Sequence, residues 1–104
     1  MPSNLLKGSR FLADYAEIVT DLSAASPDAA ERFCDAVERA LALLAAHPQI
    51  GAKGGFRHAP GVRKWVIHNF PNYLLFYQEQ PDGVLVIRLL HGARDLPPLI
   101  PPTA

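Results

Sequence analysis

With 104 residues, 49% hydrophobic and 19% charged, the chain is sized for one packed core and too apolar to remain disordered. No apolar stretch approaches the ~20 residues of a membrane-spanning helix. The start, Met1-Pro2-Ser3-Asn4-Leu5-Leu6-Lys7, lacks the basic residues and long apolar core of a signal peptide, so the expected location is cytoplasmic, with no membrane partner.

Net charge is zero but unevenly spread. Residues 1–50 carry four basic and seven acidic side chains; residues 51–104 carry six basic and three acidic, with three of the four histidines. The cationic half can meet an anionic partner, or the two halves can offset each other within the fold.

Residues 4–10 read as a weak edge strand or ragged terminus. From Phe11 the period changes: Phe11, Tyr15, Ile18, Val19 and Leu22 recur at three- and four-residue steps, with Asp14, Glu17 and Asp21 between them. That spacing predicts an amphipathic helix, ending within Ser23–Ser26. Ser26-Pro27-Asp28 then starts a second helix: a capping hydroxyl, a proline suited to the first turn and an acid at the positive end of the dipole. Ala30, Phe33, Cys34, Val37, Leu41 and Leu44 form its apolar face, and His47-Pro48 ends it. So short a link predicts an antiparallel hairpin. Cys34 reads as a core residue; as the only cysteine it excludes a disulfide framework and a cysteine-rich zinc site.

Residues 48–61, rich in glycine and proline, are expected to be loop without a regular element. Three strands follow, Val62–Asn69, Asn72–Glu79 and Val84–His91, separated by Phe70-Pro71 and by the turn Gln80-Pro81-Asp82-Gly83. The short connections make them antiparallel neighbours. The last strand is apolar on both faces, so one face packs on the hairpin and the other needs a second cover or is a binding surface. The expected organisation is one domain over residues 1–96 and a proline-rich tail over 97–104.

There is no Gly-rich phosphate loop, no His-Glu-x-x-His and no Gly-x-Ser-x-Gly. The histidine spacing suggests no metal site, and no cofactor is expected. What remains is a set of cations and imidazoles: Arg57 and His58 in the loop, Arg63 and Lys64 opening the first strand of the meander, His91 and Arg94 at its end. Such a set can hold phosphates or stabilise charge in phosphodiester cleavage. Spacing alone favours the other reading, a solvated rim with one structural pair, Arg94 with Asp95 or another carboxylate. In a meander the start of its first strand and the end of its last are not neighbours unless the tail folds back. Likewise His91 is either a structural or a proton-carrying histidine, and Trp65, Tyr73, Phe76 and Tyr77 either stack on bases or fill the sheet core.

Taken in series, Ser26-Pro27-x-Ala29-Ala30-x-Arg32-Phe33, Pro48-x-Ile50-Gly51, Val62-Arg63-x-Trp65, Phe70-Pro71-Asn72-Tyr73-Leu74-Leu75-Phe76-Tyr77 and His91-Gly92-Ala93-Arg94-Asp95 resemble the RelE/ParE toxin superfamily of type II toxin–antitoxin systems, across about residues 10–96. The resemblance implies an α+β fold: an N-terminal strand and an antiparallel two-helix hairpin packed on a C-terminal antiparallel β-meander. It implies a cognate antitoxin whose C-terminal segment folds as it binds. RelE-like members cleave mRNA in the ribosome; ParE-like members poison DNA gyrase without an established hydrolytic site. RelE-like sequences commonly place Arg after the tyrosine that opens the third strand, where Leu74 follows Tyr73 here, and no Tyr or His follows His91.

The ParE-like branch is therefore favoured, with Arg57, Arg63, His91 and Arg94 expected to meet gyrase and no catalytic residue assigned. The alternative is a ribosome-dependent mRNA endonuclease using Arg63, Lys64, His91 and Arg94. A degenerate, non-toxic member is a third reading. Phe11, Tyr15, Leu22, Leu85 and Ile87 are the antitoxin-binding residues expected, plain core packing being the other reading of each. A homodimer or a toxin–antitoxin hetero-oligomer is compatible with the apolar sheet face. Arg63→Ala is expected to lower toxicity and leave folding intact.

Overall fold

Ser26 and Pro27 settle where the helical part of the chain divides. Ser26 Oγ accepts from the Ala29 N–H at 3.1 Å, Pro27 occupies the first turn and Asp28 sits at its positive end. Ser26 N–H meanwhile donates to Leu22 O at 2.7 Å, closing the helix before it. One residue thus ends α1 (Ser9–Ala25) and caps α2 (Pro27–Ala46). Tyr15 and Glu38 lie at nearly equal distances from this turn, and the Tyr15 hydroxyl donates to Glu38 Oε2 at 3.1 Å, so the helices run back alongside each other as a hairpin. Burial first, then the neighbouring Cys34 and Glu38, push the Tyr15 hydroxyl far above the ordinary tyrosine range. Cys34 itself is half-buried.

The computed structural model describes residues 4–95; the expected tail at 97–104 lies outside them. Five strands, β1 (Asn4–Lys7), β2 (Ala52–Lys53), β3 (Val62–Ile67), β4 (Phe70–Gln80) and β5 (Gly83–His91), form one sheet in the order β1-β5-β4-β3-β2. β1 pairs parallel to β5 and the other pairs are antiparallel, so the expected α+β arrangement is the one observed, with a strand added at each edge of the meander.

Two local expectations are corrected. The 48–61 segment holds β2, whose Ala52 and Lys53 pair with Lys64 and Arg63. Phe70-Pro71 does not separate two strands but opens β4, and the connection is His68-Asn69, since Ile67 pairs with Phe70. Asn69 takes the left-handed conformation that asparagine tolerates, φ 67°. Pro71 falls in the register shift, where Val66 already pairs with Leu74, so its missing N–H removes no ladder bond.

The hairpin covers one sheet face. Phe11, Phe33, Val37 and Leu44 pack there on Leu75, Tyr77, Val86 and Leu89. On the opposite face Val62, Phe76 and Leu90 are buried with Ala59, and Phe56 and Ile87 pack around them. The loop supplies this second cover: Phe56 lies 5.6 Å from Phe76, ring centre to ring centre, after a chain reversal at Gly55 with φ 77°. A short helical turn, α3 (Gly92–Asp95), follows β5.

Candidate target-binding and antitoxin-binding surfaces

The expected cations fall at two separate ends of the sheet. At the first, Arg63 points to the hairpin side at the start of β3. Its Nη1 donates to Gly51 O at 2.7 Å and Gln49 O at 3.3 Å, while the buried Tyr77 hydroxyl accepts from Gly51 N–H at 2.8 Å. Gly51 is required here, because a Cβ would overlap the Tyr77 hydroxyl and stand 2.8 Å from Lys64 O. Burial raises the Tyr77 pKa, opposed by the Gly51 hydrogen bond and the Arg63 charge.

Arg63 therefore ties the link between α2 and β2 to the sheet. Arg63→Ala releases two backbone carbonyls held by one guanidinium, so its effect on toxicity is to be read beside its urea midpoint. Tyr77→Phe is expected to cost about 1–3 kcal/mol by leaving a buried N–H unpaired. A lower urea midpoint, with faster amide exchange confined to 49–53, is the observation that checks it.

At the other end β5 delivers His91 opposite Tyr73, ring centroids 5.3 Å apart and edge-on. His91 Nδ1 accepts from the Arg94 N–H at 3.2 Å, and Asp95 Oδ2 accepts from the His91 N–H at 3.0 Å. This reciprocal cap forms α3. With Nδ1 engaged by the Arg94 N–H, Nε2 is the ring nitrogen left to meet another group. The expected Arg94–Asp95 pair is present, Nε to Oδ1 at 3.0 Å.

Arg94 holds the Asp95 carboxyl below the usual aspartate range, with burial opposing and the His91 N–H assisting. A lowered pKa places the stabilisation above the unfolded value near ~4 and removes it as pH falls through the folded value. Stability measured between pH 7 and 2 should therefore drop slightly more steeply below pH ~4 than that of Asp95→Asn, a small difference because Arg94 is largely exposed and screened by solvent.

These ends do not meet. Arg63 stands opposite Tyr77 and His91 opposite Tyr73, four residues along β4 and so about 13 Å apart along the strand. Lys64 is exposed on the sheet face away from the hairpin, and Arg57 is exposed in the loop covering that face. Phe76 and Tyr77 are fully buried and offer no ring to a nucleobase; Trp65 and Tyr73 are half-buried against the core.

The expected antitoxin-binding residues occupy both sides of the sheet. Phe11 is fully buried, and Tyr15 and Leu22 are half-buried on the hairpin side. Leu85 and Ile87 are half-buried on the opposite face, where Leu6, 55% exposed, pairs alongside Leu85.

Sequence reading missed Asp14, placed simply on the polar face of its helix. It receives the Arg88 guanidinium at 2.7 and 2.9 Å and the Leu89 N–H at 3.1 Å. The available signal was Arg88 itself, a charge within an apolar strand, which burial obliges to find a carboxylate. A groove of about 560 Å³ runs between α2 and the β3–β4 turn, lined by Arg32, Arg39, Leu43, Trp65 and His68 among others. Among the described residues, no cluster of His, Cys, Asp and Glu is placed to hold a metal, and no helix is long and apolar enough to cross a membrane.

Residues 8–96 match the family described as the ParE toxin of type II toxin–antitoxin system, parDE. No curated protein matches the chain.

Proposed function

The chain belongs to the ParE toxin family of type II toxin–antitoxin systems, and from this we propose that it arrests growth by poisoning DNA gyrase and is neutralised by its cognate antitoxin. The observation favouring gyrase over mRNA cleavage is the division of the cations. A ribonuclease using Arg63, Lys64, His91 and Arg94 needs them around one phosphate, within the ~3 Å reach of proton transfer and charge stabilisation. Instead Arg63 is engaged with backbone carbonyls, Lys64 faces the other side of the sheet, and His91 caps α3 about 13 Å away along the strand.

Of the four residues expected to meet gyrase, Arg57 and Arg94 are the outward-facing contacts. Arg63 and His91 hold the backbone that carries the surface. On the antitoxin side, Leu6, Leu85 and Ile87 form an apolar strip on the face away from the hairpin, which an antitoxin segment covers as it folds. Tyr15 and Leu22 border the hairpin and contribute less surface. The toxin acts in the cytoplasm, where gyrase is.

The test is supercoiling of relaxed plasmid by gyrase with increasing amounts of the purified chain, without and then with the product of the adjacent small gene. Inhibition relieved by that product supports the reading. Uninhibited gyrase, together with mRNA cut on translating ribosomes, establishes the endonuclease; absence of growth arrest on induction establishes a non-toxic member.

A further inference from the structure

Arg94 is exposed, with 62% of its side chain open to solvent, yet it is held at two points by a neighbour that is not exposed. Asp95 keeps only 18% of its side-chain surface. Its Oδ1 accepts from Arg94 Nε at 3.0 Å and its Oδ2 from Nη2 at 3.4 Å, while Oδ2 also accepts from the His91 N–H. The His91 ring in turn packs edge-on against Tyr73, which packs at 5.1 Å on Phe33 in the core. A chain of contacts thus runs from the core to a guanidinium in solvent.

We propose that Asp95 is a positioning residue that presents Arg94, already oriented, to a carboxylate on the target protein. The proposal rests on the reading of Arg94 as a target contact. Exposed ion pairs add little to folding stability, so stabilising α3 is a poor account of a two-point grip on a flexible side chain. Orientation is the better one. A free arginine loses its rotamer freedom when it binds; one held beforehand loses less. Two of its five N–H groups are spent on Asp95, and the three that remain, both on Nη1 and one on Nη2, face away from Asp95 and suit a bidentate carboxylate.

The experiment scores the full-length chain and four variants, Arg94→Ala, Arg94→Lys, Asp95→Asn and the Arg94→Ala/Asp95→Asn double, by growth arrest on induction and by half-inhibition of gyrase. Asp95→Asn keeps an acceptor for the His91 N–H and removes the charge that holds the guanidinium. Arg94→Lys keeps the positive charge and cannot span both carboxylate oxygens, and it leaves the His91–Asp95 contact intact. Each is expected to weaken toxicity about three- to tenfold, the cost of one long side chain left to be ordered on binding. In the Arg94→Ala background Asp95→Asn should add nothing.

Full potency of Asp95→Asn beside an impaired Arg94→Ala overturns the proposal. So do multiplying effects in the double variant, which mark Asp95 as acting independently of Arg94. Full potency of Arg94→Ala overturns the underlying reading of Arg94 and the proposal with it. Growth arrest without gyrase inhibition refutes the gyrase target alone, since the growth assay still decides whether Asp95 acts through Arg94. A chain that neither arrests growth nor inhibits gyrase refutes both.

Discussion

Replacing Asp14 by alanine is expected to lower stability by about 3–5 kcal/mol, a large part of the 5–15 kcal/mol typical of a folded domain. Side chains of Arg88 and Asp14 are only 8% and 13% exposed, and the contact is two-pronged, at 2.7 and 2.9 Å. Alanine takes the carboxylate from a buried guanidinium and the acceptor from the Leu89 N–H in one step. The cost is that of losing a two-pronged, largely desolvated ion pair together with the Leu89 contact. Asp14→Asn keeps an acceptor for Leu89 and should fall between alanine and wild type. Urea unfolding followed by Trp65 fluorescence measures both, and a loss below 1 kcal/mol for alanine would show that water reaches the pair and replaces it.

Phe33→Ala is expected to be as damaging, again about 3–5 kcal/mol, through loss of apolar burial and the cavity that remains. The ring is fully buried and meets three others edge-on: Phe70 and Tyr73 of β4 at 5.1 Å each and Tyr15 of α1 at 6.4 Å. It therefore joins both helices to the sheet, and through Tyr73 it supports the His91 end of β5. Phe33→Leu leaves a smaller void and should lose less. The same unfolding experiment gives the energies. Amide shifts at 91–95 in the alanine variant test whether the core and the cap of α3 are mechanically connected; unchanged shifts there would show that they are not.

The helices were legible because their physics is local. Phe11, Tyr15, Ile18 and Leu22 announce a face by spacing alone, and Ser26-Pro27-Asp28 carries its own capping chemistry. The meander was legible for the same reason, its connections being too short for anything but antiparallel neighbours. The 48–53 segment was not, because β2 exists only by virtue of its partner. Nothing in Gln49-Ile50-Gly51-Ala52-Lys53 prefers a strand until Arg63 and Tyr77 bind its backbone. Phe70-Pro71 misled for a related reason: a proline is excluded from a strand only where its N–H would be used, and the register shift spares it that.

The candidate site divides along the same line. Arg94–Asp95 was readable from adjacency, and His91 could be named as either structural or chemical from its place at the end of an apolar strand. The contact of its Nδ1 with the Arg94 N–H is one that only the folded chain supplies. The partnership of Asp14 with Arg88 spans 74 residues and no periodicity encodes it.

Spacing, capping and turn chemistry within a few residues specify the two helices and the meander, while the likeness to a toxin family rests on a series of motifs spread from Ser26 to Asp95. The parallel pairing of β1 with β5, the cover that the 54–61 loop gives the second sheet face and the separation of the cations to opposite ends of the sheet arise in the folded chain. Those outcomes depend on register and on which distant groups satisfy one another's charges and hydrogen bonds, and such pairings are set when the chain closes on itself.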